Sequence, residues 1–463
     1  MTNRAMLTCV AVVALAAVVA AQGGQGRQGQ GGQRGQGGRG GGPPGVFFTD
    51  VPAHEIDVVL ARPTSTSMTA SVLASRDMAA TISCEPACGD HALTLKAGVP
   101  TEVVLSGLAP NRDYRYTVTS GTPRFSGAFH TARPSGAPFT FAVQADSHLD
   151  NNTDGRVYEN TLANMRADRA DFLVDLGDTF MTDKYPKYQD AAKQYVAQRY
   201  YFGLLGTAMP VFLTLGNHDG ETGTRPDMTS WASAMRTKYF PPILSDAFYS
   251  AGPASSDYYT WTWGDARFIV LDPFNPTTVK PREDADGWAW TLGRAQYDWL
   301  TKTLETSRSK YTFVFIHHLV GGSTREGRGG AEASVFFEWG GRNLDGSQGF
   351  AAHRAGWAMP IHELLLKHHV SAVFHGHDHL YVRQQRDGLL YMEVPQPSHA
   401  RGDQINSARE YGYLSGTLLG SSGHIRVSVG ADNTAVDYVK SRLTGKNAEV
   451  VDHVALSSGG GAR

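Results

Sequence analysis

Cysteine is almost missing: three residues in a chain of 463. Cys9 lies in the first apolar run, which leaves Cys84 and Cys88 in "CEPAC". Two cysteines with no histidine beside them make a poor zinc site. They form either a short-loop disulfide, as an oxidising compartment allows, or two buried thiols; the disulfide is the expectation. Charge of one sign is also lacking. Lys and Arg number 42 against 44 Asp and Glu, a formal net charge of −2, so nothing pulls the whole chain toward nucleic acid. Beyond residue 21 no apolar run is long enough to span a bilayer.

The first residues, "MTNRAMLTCVAVVALAAVVAAQ", set Arg4 before an apolar run and then small residues. This reads as a secretory signal peptide over 1–21, cleaved near Ala20 or Ala21. A retained anchor is the alternative, because 5–21 is borderline in length for a span. The expected location is secreted or periplasmic, with no stable membrane insertion after cleavage. Residues 22–46 lack bulky apolar side chains and consist almost wholly of Gly, Gln and Arg. Such a segment cannot build a core. Its arginines are of the kind found in RGG-type segments, but after a secretion signal a flexible linker is the simpler reading.

Two folded regions follow. From 51 to 133 the pattern is short and alternating: "SMTASVLA", "AATISCE", "TEVVLSGL" and "YRYTVTS". Several strands in about eighty residues predict a β-sandwich. After "ARPSGAP" the style changes. "FTFAVQAD", "DFLVDLGD", "PVFLTLGN", "YTFVFIHH" and "SAVFHGHDH" are apolar runs of strand length, several separated by helical patterns. That alternation predicts an α/β domain with buried sheets, set at 138–445. It includes a late hairpin, "HIRVSVG" and "TAVDYVKS". Residues 446–463 read as a tail.

Each of the five apolar runs ends in Asp, Asn or His, and ligand sites in α/β sheets lie at the carboxyl ends of strands. The ends supply Asp146 and His148, then Asp178, then Asn217, His218 and Asp219, then His317 and His318, then His377 and His379. Imidazole is the commonest metal-ligating side chain near neutral pH. Mixed imidazole and carboxylate donors suit Fe, Mn, Zn or Co.

These blocks, DxH, GD, GNHD, a strand-end histidine and GHxH, resemble the calcineurin-like metallophosphoesterases over roughly 139–438. "LSGLAPNRDYRYTVTS" and "GAFHTARP" resemble the closing strands of a fibronectin type III-like domain. The layout is similar to that of purple acid phosphatases. The resemblance implies an α/β fold, a four-layer α/β/β/α sandwich behind a small all-β fibronectin type III-like sandwich. It implies two divalent or mixed-valence metal ions, Fe, Mn or Zn. Asp146, His148, Asp178 and His379 would hold the first. Asp178 would bridge to the second, completed by Asn217, His317 and His377. A metal-bridging hydroxide would then cleave a small-molecule phosphate ester, mono- or diester. His218, with Asn217, would face the substrate, and His218 would aid the leaving oxygen. Asp219 either orients His218 or caps the next loop. His317 is preferred to His318, although Leu319 stands where the family often has proline. His375 is expected to be structural.

Tyr381 is a candidate for the substrate rim. In the long segment after His317, Phe336, Phe337 and Trp339 are candidates for a substrate wall, and Arg325, Arg342 or Arg354 for anion contacts; ordinary packing is the alternative. The second block, "GDTFM", places Met181 where purple acid phosphatases carry a tyrosine, with Tyr185 out of register. A non-catalytic surface or polysaccharide-binding protein with a relic domain is the competing reading, and an intact donor set argues against it.

Overall fold

The computed structural model describes residues 47–253, 257–279, 287–323 and 327–457. The signal and linker expectations lie outside these residues. The first region holds seven antiparallel strands: β1 (Ile56–Ala61), β2 (Ser67–Ala74), β3 (Met78–Glu85), β4 (His91–Leu95), β5 (Thr101–Ser106), β6 (Asp113–Ser120) and β7 (Thr122–His130). They form a three-stranded sheet, β1-β2-β5, and a four-stranded sheet, β4-β3-β6-β7. Alternate residues such as Val58, Leu60, Val72, Ile82, Tyr116 and Val118 fill the space between them. A disulfide joins Cys84 to Cys88. All six residues of β1 are buried, because its outer face is covered too. Val59 packs with Tyr201, Phe202 and Leu205 of a helix from the second region. That explains why "IDVVLA" does not alternate cleanly between apolar and polar.

The second region opens with β8 (Phe139–Gln144), β9 (Leu173–Asp175) and β10 (Val211–Leu213), which run parallel. It continues with β11 (Ser250–Ala251), β12 (Tyr259–Trp263), β13 (Ala266–Val270), β14 (Tyr311–Phe315), β15 (Ala372–His375), β16 (Leu380–Arg386), β17 (Leu389–Glu393) and β18 (Thr417–Gly420). β19 (Gly423–Val429), β20 (Asn433–Lys440) and β21 (Glu449–Ser457) close it. One sheet has the order β10-β9-β8-β19-β20-β21, the other β11-β12-β13-β14-β15-β17-β16-β18. Their facing surfaces meet in an aromatic core that includes Phe141, Phe172, Trp261, Phe268, Phe313, Phe315 and Phe374.

Helices close the outer faces, giving four layers. α1 (Gly155–Ala167), α2 (Ala192–Gly206) and α3 (Pro226–Tyr239) cover the six-stranded sheet. α4 (Gly293–Thr306) and the helix Ile361–Lys367 cover the eight-stranded one. The expected hairpin is β19–β20. The expected tail at 446–463 needs correction: β21 pairs along β20 and buries Val454 and Leu456. Among the described residues no helix is long and apolar enough to cross a membrane.

Candidate metal centre

The carboxyl ends of β8, β9, β14 and β15 come together where the two sheets face each other. His317 Nδ1 donates to the Leu176 carbonyl (2.9 Å), and the Gly376 amide donates to the His317 carbonyl (2.9 Å). The motif glycines let the loops pack backbone to backbone. A Cβ on Gly177 would stand 2.2 Å from Gly216 N, and one on Gly216 would stand 2.1 Å from Asp178 N. A Cβ on Gly376 would meet Ala145 Cβ at 2.5 Å and Asp146 Oδ2 at 2.9 Å. Asp146, Asp178, His377 and His379 all have left-handed backbones, with φ of +58°, +54°, +81° and +57°. Such conformations cost about 1–3 kcal/mol each and concentrate where function demands a particular side-chain direction.

Six side chains result in two groups. Asp146, His148 and His379 form one, and Asp178, His317 and His377 the other; within each, the donor atoms lie within 4.8 Å of one another. His148 Nε2 and His379 Nε2 face each other at 3.2 Å, with Asp146 Oδ1 3.4 Å from the latter. His317 Nε2 lies 3.3 Å from Asp178 Oδ2, 3.0 Å from Asn217 Oδ1 and 4.0 Å from Asp146 Oδ1. That last distance joins the two groups. Asp146 Oδ1 is buried without any hydrogen-bond partner, a costly state unless a cation completes it. Burial opposes charge on His317, yet Asp178 and Asp146 outweigh it and push its pKa up to about 9. Burial likewise works against the Asp178 carboxylate, but His317 and His218 hold its pKa well below the usual range. The carboxylates around His317 favour positive charge at this spot, which a cation would supply. The donor set fits divalent cations such as Mn, Fe or Zn.

His218, one-fifth exposed, is held by Asp183, whose Oδ1 lies 2.9 Å from its Nδ1. Its backbone amide donates to Asp178 Oδ1 (2.8 Å). Asp183 and Asp178 raise its pKa against the opposing effect of burial. Asp219 makes neither of the contacts expected of it, to the His218 ring or to the loop that follows. Its carboxylate accepts the amides of Asp178, Thr179, Phe180 and Gly216 at 2.7–3.0 Å, so it clamps the GD and GN loops together and does not orient His218. Asp183 was not among the sequence candidates. Asp150, 3.4 Å from His148 Nδ1, was missed as well. Their only signal is an acidic residue shortly after each block.

Several rim candidates move inside. Tyr381 is buried, donates its hydroxyl to Asp452 (2.5 Å) and stacks on Tyr438 at 4.4 Å. Trp339 is fully buried and donates to Tyr391, and Phe337 is buried. Arg354 pairs with Glu338. Arg342 is exposed, and Arg325 lies outside the described residues. His318 is buried between Phe274 and Trp290, at 5.1 and 4.7 Å, and donates to the Leu319 carbonyl. His375 pairs with buried Glu393 at 2.7 Å, behind the metal groups.

Fold and site define a metal-dependent phosphoesterase. The chain belongs to the calcineurin-like phosphoesterase family, whose profile matches residues 139–381, more than half of its length. Solved structures share its fold. PhoD matches with a TM-score of 0.64 and 14% identity, over 88% of this chain and 91% of that one. The purple acid phosphatase PPD1 from yellow lupin (Lupinus luteus) seeds matches with a TM-score of 0.59 and 14% identity, over 87% and 74%. No curated protein matches the sequence.

Proposed function

We propose that this chain is a secreted hydrolase of small-molecule phosphate esters that works with two metal ions. The reading rests on one observation: two donor groups, Asp146/His148/His379 and Asp178/His317/His377, stand side by side. Asp178 would bridge the two ions, and Asn217 would complete the second set. When bound, the cations polarise a phosphoryl oxygen and make a coordinated water acidic. The chain's own part is to hold them and to place His218, one-fifth exposed, beside Asp178. There His218 Nε2 gives a proton to the leaving oxygen while Asp183 keeps the ring oriented. The residues at 51–133 form a fibronectin type III-like sandwich, and the phosphoesterase domain runs from 138 through β21. The Cys84–Cys88 disulfide supports export to an oxidising compartment.

The test is metal analysis of the purified protein beside hydrolysis of a nitrophenyl phosphate monoester and the corresponding diester. The expected result is about two ions per chain, with turnover abolished by a chelator and restored by Mn²⁺ or Zn²⁺. A folded protein that takes up metal but turns over neither ester favours the relic reading.

A further inference from the structure

Helix α2 touches two parts of the molecule that have no contact in sequence. One face carries the N-terminal sandwich. A Cβ on Gly203 would stand 2.8 Å from Asp57 Cβ, and one on Gly206 would stand 1.8 Å from the Val58 carbonyl oxygen, so β1 lies directly on the helix. Arg199, fully buried, pairs with Asp57 at 2.6 Å and donates to the Ser71 carbonyl (2.7 Å) and hydroxyl (3.1 Å). Tyr116 of β6 donates its hydroxyl to the Gly206 carbonyl (2.7 Å).

A face about 100° round the helix reaches the metal loops. Gln198, fully buried, donates from Nε2 to the Ser147 carbonyl (2.7 Å) and the Thr179 carbonyl (3.0 Å). Ser147 sits between Asp146 and His148, and Thr179 follows Asp178. One carboxamide therefore ties the loop of the first group to the loop that carries Asp178 of the second. Gln194, one turn earlier, donates to the Leu149 carbonyl (3.3 Å). Carbonyl oxygens only accept, so the NH₂ end of Gln198 must face them.

We propose that Gln198 is a positioning residue of the metal centre, and that the sandwich fixes its place by gripping α2. The sandwich is then a working part of the catalytic unit. This rests on the reading of Asp146, His148 and Asp178 as metal ligands. Partners that orient ligands typically cost 10–100-fold in metal affinity when removed.

The experiment titrates Mn²⁺ by calorimetry into the metal-free full-length protein, with a thermal melt in chelator alongside. Gln198→Met keeps the length of the side chain and removes the donors; the expected loss of affinity is about 10–100-fold. Gly203→Ala favours the helix itself yet pushes β1 away from it, and affinity should fall here too although nothing near the ions changes. If Gln198→Met fails to fold, Gln198→Glu, which sets acceptors against both carbonyls, is read in the same way. Wild-type affinity in the Gln198 variant overturns the positioning role. Wild-type affinity in Gly203→Ala, with only a lowered melting temperature, overturns the part given to the sandwich. A wild-type protein that binds no Mn²⁺ overturns the ligand reading itself and so stands apart from both.

Discussion

A histidine that donates a proton must still hold one at the working pH. His218 has its pKa raised, with Asp183 and Asp178 outweighing burial. Its protonated form is therefore complete below the ordinary value near 6.5 and is lost as pH rises through the raised value. Asp183→Asn removes the nearest carboxylate, so the alkaline limb of the kcat profile should move to lower pH. His218→Ala should lower kcat by about 10²–10⁴ with metal content retained. An unmoved limb in Asp183→Asn would separate the two residues. Met181 supports a second expectation. It occupies the position of the missing tyrosine, while Tyr185 accepts from Gln194 and stacks on Phe47 at 4.2 Å. With no phenolate at the first group, the iron-loaded, oxidised protein should show no violet band. A strong visible band that persists in Met181→Leu and disappears in Tyr185→Phe would overturn this.

The ligand candidates could be read from sequence because each follows directly on an apolar run. Tyr381 was misread for a physical reason. Strand alternation would aim it the same way as His377 and His379, but both of those have positive φ. The alternation is broken before β16 begins, and Tyr381 points into the core between the sheets. Asp183 was missed because its partner is 35 residues away and only the fold brings them together.

Among elements, β21 shows where pattern reading stops too early. The late hairpin was clear from "HIRVSVG" and "TAVDYVKS", but the turn after β20 looked like the end of the domain. A third strand is required because β20 would otherwise be an unpaired edge, open to association with other chains. Ending the chain at 446 removes the burial of Val454 and Leu456, about 1.5–3 kcal/mol each. The truncated protein should melt at a lower temperature and scatter light on warming. If it melts with the full chain, the strand is dispensable. β1 was not among the strands read from the sequence, and its second buried face was not foreseen either. A strand covered by a helix from the next domain looks in sequence like any central strand.

At the scale of the molecule, the α/β class followed from the alternation of strand and helix patterns and the layer order from the family resemblance, while the mutual fit of the sandwich and α2 followed from neither, since it depends on Gly203 and Gly206 meeting a strand more than 140 residues earlier. The four left-handed donors carry the widest consequence. Each is held in a conformation that the fold must oppose at a cost of about 1–3 kcal/mol. Asparagine adopts that conformation more readily than most residues because its short polar side chain can bond locally, and His379 is one-third exposed, with little packing to lose. In chelator, His379→Asn should melt at or above the wild-type temperature. With saturating Mn²⁺ the order should reverse, because binding stabilises only the protein that keeps its donors. A clearly lower melt for the metal-free variant would remove the claim of strain. If the order reverses as expected, a lineage freed from selection for turnover would gain stability by drifting away from these residues. On that outcome, their joint presence in one chain records continued use.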